Sequence, residues 1–138
     1  MYTKFIVSLA AIVLSCAAFA DEPKPAAAPG RVVKMLMTQK LPELSGSRVT
    51  QMLTVEYAPG AELPSHTHPG PVYGYVLEGS FATEVDGQPL TTYTKGQTFF
   101  EPEGGVHRVA KNPSATEPLK LLIFVLAEEG KPLVAPTK

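Results

Sequence analysis

Residues 60–79 read GAELPSHTHPGPVYGYVLEG and residues 96–112 read GQTFFEPEGGVHRVAKN. These two stretches hold all three histidines of the 138-residue chain, His66, His68 and His107. In an extended strand, residues i and i+2 face the same way about 7 Å apart, so His66 and His68 can turn two imidazoles toward one point while Thr67 faces away. Rings so placed can both reach one ion through bonds of about 2.0–2.1 Å. Pro64 and Pro69 bracket the pair and restrict its conformations. His107 comes later, at the start of another strand-like run behind Gly104-Gly105. A third imidazole from a separate strand would complete a facial set with open positions, the mark of a reactive or ligand-binding centre rather than a closed structural one. Any one of these histidines alone is more simply read as a core or surface residue.

Working outward, short strand-like runs alternate with turn residues. The runs are Val32–Met37, Arg48–Tyr57, Val72–Leu77, Phe81–Val85, Leu90–Thr94, Thr98–Phe100, His107–Ala110 and Leu119–Leu126. Between them lie turn signals such as Ala58-Pro59-Gly60, Pro69-Gly70-Pro71, Lys95-Gly96 and Asn112-Pro113, in a chain with 14 Pro and 11 Gly. Asp86-Gly87 between two strand patterns predicts a hairpin with a type I′ turn, in which both central residues take positive φ. Leu121–Leu126 is continuously apolar, as in a strand buried on both faces or a short buried helix. With no other helical pattern, the spacing predicts an all-β sandwich or small barrel.

The spacing around the histidines goes further. Gly60-x5-His66-x-His68, closed by Gly79, resembles the first motif of the cupin superfamily. Gly96-x5-Pro102-x-Gly104-x2-His107, closed by Asn112, resembles the second. The intervening stretch, Ser80 to Lys95, has the length of minimal single-domain members. The resemblance implies a double-stranded β-helix (jelly-roll) cupin barrel. It also implies one divalent transition metal (Zn, Ni, Cu, Mn or Fe) in the barrel mouth, held by His66, His68 and His107.

Two departures from the pattern matter. The usual first motif carries a glutamate as fourth ligand three or four residues after its second histidine. Here Val72 and Tyr73 occupy those places, and the position of Gly79 points to Val72 as the replacement. In the second motif, four residues rather than three separate His107 from Asn112. Glu101, just before Pro102, is the candidate substitute ligand, direct or through water. Its alternative is a solvated strand edge, because Pro102 and the glycines after it break the register that would decide its direction. Glu62 and Glu103 sit in turns and read as solvated, and Glu78 reads as a hairpin residue. Three imidazoles without a carboxylate would leave a dication its full charge, favouring anionic ligands and acidifying bound water. Tyr57, Tyr73, Tyr75 and Tyr93 read first as packing and second as pocket lining. Gly74 reads as a position that keeps the barrel floor open.

Similar three-His cupins include thiol and β-diketone dioxygenases, so the resemblance implies a metal-dependent, dioxygenase-like enzyme acting on a small organic substrate. The alternative is a non-catalytic cupin of the cell envelope that binds or senses a small ligand or a metal. The resemblance also implies a homodimer built by packing or exchanging edge strands, which suits the apolar runs Val32–Met37 and Leu121–Leu126.

Composition and termini complete the expectation. A net charge of -1 and scattered Lys and Arg leave no electrostatic footprint for nucleic acid or an anionic membrane surface. Residues 1–20 read as a secretory signal peptide: Lys4, an apolar run from Phe5 to Ala17, then Ala18-Phe19-Ala20 as the cleavage site. The run is short for a membrane span. Periplasmic or secreted localisation follows, with a lipoprotein anchored through Cys16 as the minor alternative. Without a twin arginine the chain would be exported unfolded and metallated outside the cytoplasm. There an all-imidazole site binds Cu(II), Ni(II) and Zn(II) more tightly than Fe(II). Residues 21–30, DEPKPAAAPG, read as a Pro/Ala-rich spacer, and residues 31–138 as a single domain.

Overall fold

The computed structural model describes residues 29–137; the expected signal peptide, Cys16 and most of the spacer lie outside that range. The chain forms β1 (Arg31–Lys40), β2 (Arg48–Tyr57), β3 (Glu62–Leu63), β4 (His66–Thr67), β5 (Val72–Glu78), β6 (Ser80–Val85), β7 (Thr91–Thr94), β8 (Thr98–Glu101), β9 (His107–Lys111), β10 (Leu119–Glu128) and β11 (Ala135–Pro136). One antiparallel sheet has the order β1-β2-β10-β5-β8. The second has the order β11-β4-β9-β6-β7, with β3 also paired to β9. All eight predicted runs become strands, and the architecture is the all-β cupin barrel. The two-residue strands β3, β4 and β11 are additional, being too short to leave a period in the sequence.

Strict alternation builds the interior. On β2, Val49, Gln51, Leu53, Val55 and Tyr57 are buried. On β10, Leu119, Leu121, Val125 and Ala127 face the core, while Leu122 and Phe124 lie half-buried on the outer face, with Phe124 against Tyr73. Leu121–Leu126 is therefore a strand, hydrogen-bonded between β2 and β5. Having a neighbour on each side, it offers no free edge to a second chain. The edges of this sheet are β8 and β1, and on β1 Val32, Leu36 and Met37 are exposed.

Three local features differ from expectation or explain it. The β6–β7 hairpin forms, but Asp86 does not take positive φ; only Gly87 does, at 81°. The connection runs from Asp86 to Leu90, and this longer loop with Pro89 removes the need for a primed two-residue turn. Asp86 instead points its carboxylate at Arg108. Gly74 does not open the barrel floor. Its partner across the β5–β8 ladder is Phe99, whose ring would stand 2.0 Å from any Cβ at position 74. The glycine lets that ring cross into the core and fill it. The extra residue of the second motif is absorbed as a β-bulge: Val85 pairs with His107 and Glu84 with Val109, so Arg108 has no partner of its own. The bulge sends Arg108 out to Asp86 and keeps both His107 and Ala110 buried.

Asn112, which closes the second motif, is 1 % exposed. Its amide donates to the carbonyls of Ala58 and Glu117 and its oxygen accepts from the N–H of Ser114, tying the β9–β10 loop to the β2–β3 loop. Among the described residues, no helix is long and apolar enough to cross a membrane.

Candidate metal centre

The three histidines converge. His66 on β4 and His107 on β9 are direct cross-strand partners, so their side chains share a face, and His68 follows just beyond β4. One donor nitrogen from each ring lies within 4.8 Å of the others, and all three side chains are buried or half-buried. Thr67 turns away, as the spacing predicts.

Each ring is held by its other nitrogen. Nδ1 of His66 donates to the carbonyl of Pro64 at 2.8 Å, and Nδ1 of His68 donates to the carbonyl of Leu133 at 2.6 Å. Carbonyls only accept, so both Nδ1 atoms carry a proton and both Nε2 atoms are left to face the cluster. The two Nε2 atoms lie 3.1 Å apart. Two nitrogens at that distance need a cation between them, a shared proton or a metal ion. Nε2 of His107 lies 2.7 Å from the Thr83 hydroxyl, which can accept its proton and leave Nδ1 free to face the cluster. Such partners on the non-ligating nitrogen are what orients and tunes metal-binding imidazoles.

Glu101 joins this group. It is 4 % exposed, and its Oε2 lies 3.2 Å from His68 Nε2 and 3.2 Å from His107 Nδ1. Its cross-strand partner is Val72, the position at which the first motif lacks its glutamate. Paired residues on one face of a ladder stand about 4.5–5.5 Å apart, so a carboxylate on β8 reaches the space that one at position 72 would fill. Pro102 does break the strand, but only after Glu101 has turned inward. Glu62 and Glu103 are exposed, as their turn positions predict, and so is Glu78.

The cluster fits a divalent transition metal. Two donors bonded to one ion at about 2.1 Å lie about 3.0 Å apart at right angles and about 3.4 Å apart at the tetrahedral angle. The observed separations of 3.1 and 3.2 Å fall in that interval. Although close, Glu101 Oε2 and His107 Nδ1 form no aligned hydrogen bond with any group and are buried polar atoms without a partner. Orphaned atoms of this kind carry a large desolvation penalty, which an ion would offset. Burial lowers the pKa of His66 to about 4, partly opposed by its bond to Pro64, so the ring is neutral near pH 7. Burial pushes the Glu101 carboxyl up, but the adjacent His107 and His68 together outweigh it and hold the group at about 2. The donor set is thus three imidazoles, that of His66 neutral, and one carboxylate.

A cavity of about 50 Å³ adjoins the cluster. Its wall is mostly hydrocarbon, and apart from the cluster its polar side chains are Arg31 and Tyr57. Tyr57 is the one pocket tyrosine of the four candidates: Tyr73 and Tyr75 are exposed on the outer face, and Tyr93 packs against Phe99. Two contributors escaped the sequence reading. Thr83 could have been found only as an inward position two residues from Phe81. Leu133 acts through a backbone carbonyl brought in by β11 pairing with β4, and no side chain signals it.

The family model for the cupin domain matches residues 53–125, more than half of the chain, and the chain belongs to this family. Among curated proteins it is 37% identical over 83 residues to the rhicadhesin receptor of Pisum sativum, covering 56% of this chain and 38% of that protein. It is 31% identical over 113 residues to the putative germin-like protein 3-2 of Oryza sativa subsp. japonica, covering 78% of this chain and 50% of that protein. The chain thus spans half or less of the length of these relatives. Solved structures with the same fold include an RmlC-like cupin from Shewanella frigidimarina, with TM-score 0.59, 24% identity, and coverage of 76% of this chain and 83% of that one. Another is KdgF from Halomonas sp., with TM-score 0.57, 22% identity, and coverage of 75% and 86%.

Proposed function

We propose that this cupin holds one divalent transition metal on His66, His68, His107 and Glu101 and uses it in an oxygenase-like reaction on a small organic molecule. The observation that supports this most directly is the pair of imidazole Nε2 atoms at 3.1 Å, each ring fixed by a carbonyl behind it. When bound, the metal supplies a Lewis-acidic centre with open positions, redox-active if it is iron, copper or manganese. The chain's own residues do the rest. Pro64, Leu133 and Thr83 fix the rings, and Glu101 lowers the charge of the site from that of a bare dication on neutral ligands. The hydrocarbon wall excludes bulk water and strengthens every electrostatic contact inside.

A second reading, a module that binds its ligand without turnover, draws support from the same lining. Beyond the cluster, the cavity's polar side chains are Arg31 and Tyr57. Burial raises the Tyr57 pKa, partly countered by Arg31, so neither group supplies a base at neutral pH. Export through residues 1–20 and a homodimer joined at the β1 edge belong to the proposal as well. N-terminal sequencing of the periplasmic protein and light scattering test them.

The deciding experiment is the metal content of protein exported and purified without chelator, run beside His66→Ala. About one transition metal per wild-type chain, lost in the variant, is the expected result. A folded wild type that stays metal-free after reconstitution would overturn the metal reading. Oxygen consumption by the loaded protein with small organic substrates then separates turnover from binding.

A further inference from the structure

The cavity contains a charge that the metal cluster does not use. Arg31 is the first residue of β1, and its side chain turns inward rather than to solvent, leaving the residue 9 % exposed. Its Nε has no hydrogen-bond acceptor among the described residues, and no ion pair among them includes its guanidinium. Tyr57 is its neighbour, 5.6 Å from guanidinium carbon to ring centroid, and the guanidinium interacts with the phenol closely enough to oppose the rise that burial imposes on its pKa. A neutral phenol does not balance the charge, and an arginine set in a mostly hydrocarbon wall is stabilised by an anion brought to it. The cavity's other charged side chain, Glu101, faces His68 and His107 and lies beyond ion-pair distance of Arg31. One cavity therefore has an acceptor-poor cation in its wall and a metal-binding cluster elsewhere on the same wall.

We propose that this cavity binds a short-chain organic carboxylate, its carboxylate on Arg31 beside Tyr57 and its carbon end directed at the histidine cluster. The direction of the carbon end rests on the metal reading above; the contact with Arg31 does not. Three features select this ligand class. The planar guanidinium fork matches a carboxylate through two parallel hydrogen bonds. A single cation in a hydrocarbon-lined space suits one negative charge better than the two of a phosphate monoester. The volume of about 50 Å³, at 10–15 Å³ per water-sized group, admits roughly three to five such groups. A carboxylate is itself three such groups, so the space takes one with up to about two further heavy atoms, the size of propionate.

The test compares propionate, propionamide and inorganic phosphate by calorimetric titration and thermal denaturation, on metal-free and metal-loaded protein. Propionate is expected to bind and raise the melting temperature in both forms, with propionamide at least ~10-fold weaker because it lacks the charge. Arg31→Gln should weaken propionate binding at least ~10-fold, and Arg31→Lys should recover part of the loss. Equal binding of propionate and propionamide by the wild type would overturn the proposal without any variant, so a folding defect in Arg31→Gln cannot shield it. Arg31-dependent binding of phosphate in preference to propionate would overturn the ligand class. Propionate binding that needs the metal and persists in Arg31→Gln would place the anion on the metal, overturning the Arg31 site while leaving the metal reading intact. Arg31-dependent binding to a protein that takes up no metal would have the opposite meaning.

Discussion

The two sheets contribute unlike things to the space between them. The sheet containing β4, β6 and β9 provides all three imidazoles and the Thr83 hydroxyl, from short strands, one of them bulged. The sheet containing β1, β2, β10, β5 and β8 provides most of the hydrocarbon wall and both buried charges, Arg31 and Glu101, from mostly longer strands. Short strands with breaks can aim side chains at a common point because their direction is not dictated by a long ladder. Long ladders enforce alternation, so they build a core well and place a polar group inside only where the period demands it. The site exists because short strands aim the imidazoles at one point while the longer ladders, despite register shifts at Met35/Met37 and Lys120/Leu121, enclose them.

Breaking the short-stranded sheet should abolish metal binding with little loss of fold. His107→Ala is expected to take bound metal from about one per chain to near none by elemental analysis. The metal-free melting temperature should hold or rise, since the variant relieves a crowded and partly orphaned polar cluster. Breaking the long-stranded sheet should do the reverse. Leu121→Ala, at a side chain 2 % exposed, is expected to destabilise by about 2–5 kcal/mol in urea unfolding while the surviving folded protein still takes up metal. Gly74→Ala drives a Cβ against the Phe99 ring and should cost about 1–3 kcal/mol, because the ring must shift out of its packing against Phe81 and Tyr93. Thr83→Val removes only the partner of His107 Nε2 and should weaken metal affinity about 10-fold with stability nearly unchanged.

The smallest effect sharpens the comparison through pH. His66 and Glu101 both have depressed pKa values in the folded protein, to about 4 and about 2. In the unfolded chain they bind protons more readily than in the native one, so stability rises with pH across their windows. The metal-free wild type should be at full stability near pH 7. It should lose the His66 contribution as pH falls from 6.5 through 4, and the Glu101 contribution from 4.5 through 2. Urea midpoints for wild type and Glu101→Gln check this: the lower window should vanish in the variant. Its persistence would show that another carboxyl is responsible.

Much of this was legible beforehand. Period-two alternation and turn residues marked all eight longer strands, since a half-buried strand must alternate to have an inside. The His-x-His spacing put two imidazoles on one face for the same reason, and the glycine framework of the second motif marked His107 as the third member of the cluster. What misled was turn chemistry read too locally. Asp86-Gly87 satisfies a primed turn only if the loop is two residues long, and the chain's pairing, not the dipeptide, sets that length. Gly74 was read as open space because a glycine shows that no side chain is present, not which neighbour takes the room.

By itself the sequence determined the class of fold and nominated the three imidazoles, because alternation within a strand marks the inward positions and pairs His66 with His68, and the spacing of the second motif adds His107. Only the tertiary structure decided the direction of Glu101, the inward turn of Arg31 and the carbonyl behind His68. Each depends on which strand lies beside which: Glu101 opposite Val72 on β5, Arg31 opposite Tyr57 on β2, and Leu133 carried to His68 by β11. Such pairings join residues far apart in the chain, and no local pattern encodes a neighbour that arrives only when the sheets close.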